Sequence, residues 1–220
     1  MDTRYLLLDL DGTLTDPAPG ITASIRHAAA GFGRSVGGDL TRFIGPSLRE
    51  SFAHILQTED PEQIEEAVRL YRERFATVGL YDNAVYDGVA DALALAAERG
   101  FALRVVTSKP KVYADRIVDH FGLRPHLPRV YGASLDGALS HKAELLAQVL
   151  SEEGLSPGRA CMVGDREHDI LGAREHGIPA IGVGWGYGSE AELRAAGADR
   201  LVHALRELVP AACALVPAAA

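Results

Sequence analysis

Short apolar segments alternate with longer amphipathic segments along most of the chain. The apolar segments, such as ACMV near residue 160, contain no regular polar positions, which is typical of strands buried on both faces. The amphipathic segments between them have helical periodicity, and several end at a glycine. This alternation predicts an α/β fold in which helices cover both faces of a parallel sheet. The predicted strands are 4–10, 101–108, 129–134, 159–165, 179–184 and 199–202, and the predicted helices are 87–100, 111–122, 140–154, 168–177, 189–197 and 203–209.

Residues 16–84 depart from this pattern because they contain no convincing buried strand. The third of their helical segments begins with Asp60 and Pro61, which suit the N-cap and the first position of a helix. We therefore expect a small helical domain inserted after the first strand of the core. Its predicted helices are 20–33, 47–57 and 61–77.

The domain organisation that follows is a core interrupted once. We expect residues 1–15 and 85–220 to form the α/β core, and residues 16–84 to form a helical cap. The last nine residues, 212–220, are expected to be a loosely held tail.

Composition and charge exclude several classes of partner. The 220-residue chain has a net charge of −8, which argues against nucleic acid or an anionic membrane as the main partner. No apolar run approaches the ~18 residues of a membrane span, and because the sequence begins directly with a strand pattern we expect no signal segment. Two cysteines, Cys161 and Cys213, form no disulfide framework and favour a cytoplasmic location. A monomer and a homodimer both fit these data.

Polar residues follow three of the predicted strands at the point where each strand ends. Because the carboxyl ends of parallel strands share one edge of the sheet, these residues should lie close together. Lys142, near the start of a predicted helix, could face the same edge. The residues at the strand ends are Asp9, Asp11 and Thr13, then Thr107, Ser108 and Lys109, then Asp165 and Asp169.

This set of side chains suits phosphoryl transfer. Asp9, Asp165 and Asp169 would repel one another, and a hard cation such as Mg²⁺ relieves that repulsion by binding carboxylate oxygens. Thr107 and Ser108 offer a hydroxyl group and backbone N–H groups to a phosphate, while Lys142 offers a positive charge. Positioning and charge neutralisation supply most of the catalysis in such reactions.

Asp9 and Asp11 also indicate a division of roles. They are two residues apart, so both side chains would point to the same side of a regular strand. One can attack a phosphate while the other exchanges a proton with the leaving oxygen. Metal charge would keep Asp9 ionised, and burial would raise the pKa of Asp11.

Four motifs resemble, in order and spacing, those of the haloacid dehalogenase-like hydrolases: DLDGTLTD, VVTSKP, HKAEL and VGDREHD. The resemblance covers almost the whole chain and is nearest to the phosphoglycolate phosphatase-like and 5′-nucleotidase-like members, which carry a small helical cap. It implies a Rossmann-like core and a Mg²⁺-dependent phosphatase that acts on a small phosphorylated metabolite.

The resemblance also implies a role for each motif residue. Asp9 would be the nucleophile that becomes an aspartyl-phosphate, and Asp11 the general acid and base, with its backbone carbonyl on the metal. Thr107 and the Ser108 amide would hold the phosphate, and Lys142 would stabilise the charge on Asp9. The implied metal ligands are Asp9, Asp11 and Asp165, with Asp169 binding directly or through an intermediate group.

Other residues allow less specific interpretations. Arg49, in the segment FIGPSLRE, is a candidate contact for a substrate anion, and Asp16 a candidate for a hydrogen bond at the cap hinge. Lys109 is interpreted mainly as a loop cation. The segment GVGWGYGS, 182–189, is interpreted as a flexible loop in which Trp185 serves packing.

Two alternatives remain open. A sugar phosphomutase would share Asp11, although its fourth motif usually has a Glu-Asp pair in place of GDREHD. A non-enzymatic phospho-acceptor or binding module could use the same acidic pocket, but it would need neither Asp11 nor a helical lid. The substrate remains one of phosphoglycolate, a nucleotide or a sugar phosphate.

Overall fold

The computed structural model describes residues 3–218. Strands and helices alternate through most of this range, with three-residue 3₁₀ turns at Thr41–Phe43 and Pro157–Arg159 and a π-helical turn at Phe75–Gly79. In chain order the elements are β1 (Arg4–Leu8), β2 (Thr15–Asp16), α1 (Ala18–Gly31), α2 (Leu48–Leu56), α3 (Pro61–Arg74), β3 (Ala84–Val85), α4 (Val89–Glu98), β4 (Phe101–Pro110), α5 (Lys111–His120), β5 (Arg129–Ala133), α6 (Lys142–Glu153), β6 (Ala160–Gly164), α7 (Glu167–Glu175), β7 (Ala180–Val183), α8 (Glu190–Ala196), β8 (Arg200–Val202) and α9 (Leu205–Leu215).

The core is a six-stranded parallel sheet with the strand order β5-β4-β1-β6-β7-β8. This arrangement confirms the predicted α/β fold. In register, Leu8 of β1 pairs with Val105 of β4 on one side and with Val163 of β6 on the other. The carboxyl ends of these three strands therefore lie side by side in the middle of the sheet.

Both faces of β1 are buried, as its continuous apolar sequence predicts. Leu6, Leu7 and Leu8 have no exposed surface. Leu7 packs in a cluster with residues of α6, α7 and α8, and its neighbours in the strand point to the opposite face. A strand without polar alternation can be stable here because burial on each face removes apolar area from water, at roughly 25 cal/mol per Å².

The chain packs as two units, residues 1–15 with 85–220 and residues 16–84. The second unit is helical and contains α1, α2 and α3. Phe52 of α2 packs edge-on against Tyr71 of α3, which stacks on Phe75. At the start of α3, Asp60 caps the helix by accepting the N–H of Glu62 at 3.0 Å, as the sequence predicts.

The chain crosses between the units in β2 and β3, which form a two-stranded sheet. Asp16, at the first crossing, accepts a 3.0 Å hydrogen bond from the N–H of Ala18. It therefore fixes the start of α1 directly after the junction.

The prediction of a loose C-terminal tail is wrong for residues 212–216. Helix α9 continues through Pro210 to Leu215, and Ala212 and Val216 are fully buried. The carbonyl of Val216 accepts a 2.9 Å hydrogen bond from Arg4 Nη1, which ties the tail to β1. The segment beyond Pro210 is held in place because its apolar residues at helical spacing, Ala212 and Val216, are buried. Residues 219–220 lie outside the described range. Within 3–218, no helix is long and apolar enough to cross a membrane.

Candidate active site

Asp9 and Lys142 form the centre of a buried ionic cluster at the carboxyl edge of the sheet. Asp9 follows β1 directly, and its N–H donates to Val163 O at 2.9 Å, which fixes it beside β6. Lys142 is the first residue of α6. Its Nζ lies 2.9 Å from Asp9 Oδ1, 2.7 Å from Asp169 Oδ1 and 2.7 Å from Val106 O. One ammonium therefore links the residue that follows β1, a backbone carbonyl of β4 and a carboxylate in the first turn of α7.

The pKa of Lys142 is determined by two opposing effects, burial and the charges of its carboxylate neighbours. Burial alone would lower the pKa of Lys142, since its side chain is 1% exposed. The negative charges of Asp169 and Asp9 outweigh that effect and raise the pKa above its usual value. The two carboxylates in contact with Lys142 thus favour its charged form.

Three carboxylates converge on one point of this cluster. Ligand oxygens of Asp9, Asp165 and Asp169 all lie within 4.8 Å of one another, and all three residues are buried. Burial raises the pKa of Asp165, and the nearby charges of Asp169 and Asp9 add to this effect. Burial likewise raises the pKa of Asp169, against the opposing charge of Lys142. Such a site disfavours several ionised carboxylates unless a cation joins them.

The donor set fits a divalent metal ion. Asp9, Asp11, Asp165 and Asp169 are near or within the cluster, and two ammonium groups, Lys109 and Lys142, pair with them. If all are ionised, two carboxylate charges remain unbalanced, which is the charge that one divalent cation supplies. Hard oxygen ligands of this kind suit Mg²⁺.

Asp165 is fixed by donors from two loops. Tyr187 N–H donates to Asp165 Oδ2 at 2.8 Å, and Thr13 Oγ1 donates to Asp165 Oδ1 at 3.4 Å. Trp185 Nε1 donates to Thr13 O at 3.1 Å, so the two loops also contact each other. Both loops therefore orient the carboxylate, and the segment 182–189 forms part of the site.

Glycines allow these loops to approach so closely. A Cβ on Gly12, which has a φ of +81°, would lie 2.2 Å from Asp165 Oδ2. A Cβ on Gly186 would lie 2.3 Å from Asp165 Cβ, and one on Gly188 would lie 1.9 Å from Asp165 O. The glycines of the sequence GVGWGYGS thus allow the backbone of this loop to pack directly against Asp165. Its glycine content was the signal for this function, but the sequence did not indicate which residue the loop would contact.

Asp11 has an unexpected partner, Lys109. Lys109 Nζ lies 2.6 Å from Asp11 Oδ2, and the two side chains are 6% and 12% exposed. Burial raises the pKa of Asp11, although the charge of Lys109 opposes the shift. Lys109 is therefore a buried member of the cluster and not the loop cation that its sequence position suggested. The rarity of lysine, three among 22 basic residues, was the available signal.

Thr107 and Ser108 lie at the end of β4, two and three residues beyond the pairing of Val105 with Leu8 of β1. Thr107 is buried, and its Oγ1 accepts the N–H of Lys109 at 3.3 Å. Their predicted contacts with a phosphate stay predictions.

Arg49 belongs to the other unit. It lies on α2, where it pairs with Glu65, and its side chain is 40% exposed. Its predicted contact with a substrate anion also stays a prediction.

Comparison with known proteins agrees with this geometry. Residues 6–183 match the family model of the haloacid dehalogenase-like hydrolases. The chain is 48% identical over 199 residues to a 5′-nucleotidase of Pseudomonas aeruginosa, with 87% of this chain and 88% of that protein covered. It is 42% identical over 187 residues to the tyrosine-protein kinase PtkA of Mycobacterium tuberculosis, covering 84% of this chain and 63% of that protein. A crystal structure of a predicted phosphatase from Clostridium acetobutylicum superposes with a TM-score of 0.91 at 38% identity, covering 96% and 98% of the two chains.

Proposed function

The chain belongs to the haloacid dehalogenase-like hydrolase family and is a phosphoric monoester hydrolase. We propose that this enzyme depends on Mg²⁺ and that Asp9 is phosphorylated during the reaction. The observation that carries the proposal is the convergence of Asp9, Asp165 and Asp169 around one point, with Lys142 on Asp9. A nucleophile, a metal site and a fixed cation are thus combined in one buried cluster.

In the proposed reaction, an Asp9 carboxylate oxygen attacks the phosphorus of a phosphate monoester. The bond to the ester oxygen breaks, and Asp11 donates a proton to the leaving alcohol. Water then attacks the phosphorus of the aspartyl-phosphate while Asp11 accepts a proton, which releases inorganic phosphate and restores Asp9. Lys142 holds Asp9 in position by the 2.9 Å contact between Nζ and Oδ1.

Asp9, Asp165, Asp169 and the backbone carbonyl of Asp11 are the groups that would hold the metal ion. When bound, Mg²⁺ neutralises charge on the carboxylates and on the transferred phosphate. Thr107 and the Ser108 amide would bind phosphate oxygens from the end of β4.

The substrate that we propose is a small phosphate monoester, with a nucleoside 5′-monophosphate as the first candidate. The support for this choice is the 48% identity to a 5′-nucleotidase. Phosphoglycolate and sugar monophosphates are the next candidates. Arg49, on the helical unit, is proposed to contact a second anionic group of the substrate.

The test is release of inorganic phosphate from a panel of these monoesters, measured as kcat/KM with and without Mg²⁺. We expect Mg²⁺-dependent hydrolysis, acid-stable labelling of the protein by a ³²P-substrate at early times, and no label in Asp9→Asn. Asp9→Asn should lose at least about 10⁴-fold in kcat, because no other group can replace the nucleophile. Glu153→Gln, which alters a carboxylate outside the cluster, is the matched control.

Three results would contradict the proposal: hydrolysis without a divalent metal, full activity of Asp9→Asn, or isomerisation of a sugar phosphate faster than phosphate release. The last result would identify a mutase.

A further inference from the structure

Lys109 occupies a position that a lysine rarely takes without a specific purpose. Its side chain is 6% exposed, and removing an ammonium group from water is unfavourable unless a partner compensates. The 2.6 Å contact with Asp11 Oδ2 supplies that partner. Lys142 contacts Asp9 and Asp169 in the same cluster. The proposed nucleophile Asp9 and the proposed acid Asp11 are therefore each paired with a different lysine.

The pairing of β4 with β5 is irregular at the position of Lys109. Thr107 pairs with Gly132 of β5, and the next pair is Pro110 with Ala133, so the register of the two strands shifts between these pairs. Such an irregularity changes the direction of a side chain and is common next to active sites.

Gly132 is required for the irregularity. A Cβ on Gly132 would lie 2.7 Å from Lys109 O and 2.8 Å from Lys111 Cα, so the backbone on both sides of the bulge leaves no room for a side chain. The pairing strand therefore accommodates the segment that presents Lys109.

The two oxygens of Asp11 have different surroundings. Oδ2 contacts Lys109, whereas Oδ1 is buried and has no hydrogen-bond partner within residues 3–218. A buried acceptor without a partner is costly and therefore needs an explanation, and a catalytic role is one of those known in native structures.

We propose that Lys109 is a positioning residue that holds Asp11 by Oδ2, so that Oδ1 faces the oxygen of the leaving group. This inference rests on the proposed function and adds a residue to it. In the first step, the bond from Asp9 to phosphorus forms, the bond from phosphorus to the ester oxygen breaks, and the proton passes from Asp11 Oδ1 to that oxygen. Lys109 takes no part in these bonds.

The test compares two substrates whose leaving groups differ in their need for a proton. A positioning role for Lys109 should affect them unequally, whereas a general structural role should affect them equally. Benzyl phosphate releases a strongly basic alkoxide that needs the proton of Asp11, whereas p-nitrophenyl phosphate releases a stable anion that needs it little. The value of kcat/KM reports the steps up to formation of the phosphoenzyme. We expect Lys109→Met to lower kcat/KM about 100-fold for benzyl phosphate and less than about 10-fold for p-nitrophenyl phosphate.

Three further variants complete the design. Lys109→Arg keeps a cation and should recover most of the loss with benzyl phosphate. Gly132→Ala displaces the bulge without changing any charge, and it should also affect benzyl phosphate more than p-nitrophenyl phosphate. Lys111→Met removes a lysine two residues away whose side chain is 55% exposed and pairs with Asp115, and it should match the wild type.

The outcomes are distinguishable. An equal loss with both substrates, or no loss, in Lys109→Met overturns the inference while the proposed function stands. If circular dichroism shows that Lys109→Met is unfolded, Gly132→Ala decides, and an equal loss with both substrates overturns the inference. A wild-type protein that hydrolyses neither ester with Mg²⁺, or an active Asp9→Asn, overturns the proposed function itself.

Discussion

Two ionic networks in the α/β unit, one partly exposed and one buried, differ in how they balance charge. At the end of α6, Glu153 accepts from Arg104 at 2.6 and 2.9 Å, from Tyr131 OH at 2.9 Å and from Arg129 at 3.2 Å. One carboxylate therefore has donors from three residues. At the start of the same helix, Lys142 contacts two carboxylates, and two more belong to the same cluster.

The shifts in pKa have opposite directions in the two networks. Hydrogen bonding to Arg104 holds the pKa of Glu153 below its usual value, so this carboxylate is stable as an anion. Burial raises the pKa of Asp165, with further contributions from the charges of Asp169 and Asp9. The first network stabilises the folded chain by itself, whereas the second would be stabilised by a positive charge from outside the chain, such as the proposed metal ion.

The largest expected effect that distinguishes the networks is that of metal removal. Chelation of divalent ions should lower kcat/KM by more than about 10³-fold, because the proposed metal ion neutralises charge at the transferred phosphate. Saturating Mg²⁺, at about 100 times its Kd, should also raise the free energy of unfolding by about 2.7 kcal/mol.

Thermal unfolding with and without Mg²⁺ measures the second effect. Asp165→Asn should lose the Mg²⁺-dependent rise in melting temperature, and Glu153→Gln should keep it. A rise of equal size in both variants would argue against a metal site at Asp165.

An intermediate effect is expected from a single methyl group in the glycine-rich loop. In Gly186→Ala, the added Cβ would lie 2.3 Å from Asp165 Cβ, so the loop or the carboxylate must shift. We expect a loss of about 10- to 100-fold in kcat/KM, as a displacement near 1 Å produces in other positioned sites. A Mg²⁺ titration of activity should show weaker metal activation.

Gly158→Ala is the control for this substitution, since no atom lies within 4 Å of the position that its added Cβ would take. Unchanged Mg²⁺ activation in Gly186→Ala would show that the loop does not orient Asp165.

The smallest effect is expected at the structural network and concerns stability alone. Glu153→Gln should leave kcat/KM unchanged and lower the free energy of unfolding by about 1–3 kcal/mol at neutral pH, because it weakens charged hydrogen bonds. The pKa of Glu153 is lower in the folded state than in the unfolded state. Its stabilisation is therefore present above the unfolded pKa and is lost as the pH falls through the folded pKa.

Urea unfolding of the wild type and of Glu153→Gln across the acid range checks this prediction. The two stabilities should converge as the pH falls below the usual glutamate range. A difference that is constant with pH would show that packing, and not ionisation of Glu153, causes the loss.

The sequence by itself determined the α/β class and the nature of the chemistry. Continuous apolar strands can be stable only between two layers of helices, and Asp9, Asp165 and Asp169 were placed at strand ends by their position after those segments. Both inferences depend on local pattern and on the rule that parallel strands share their carboxyl edge.

Contacts between residues distant in the chain were decided only by the tertiary structure. Lys109 pairs with Asp11 at the register shift that follows Thr107 in β4, and Asp11 is 98 residues earlier in the chain. The loop at Gly186 encloses Asp165, and α9 continues past Pro210 because Val216 is buried and hydrogen-bonded to Arg4. Such contacts depend on distances across the fold, about which the periodicity of one segment carries no information.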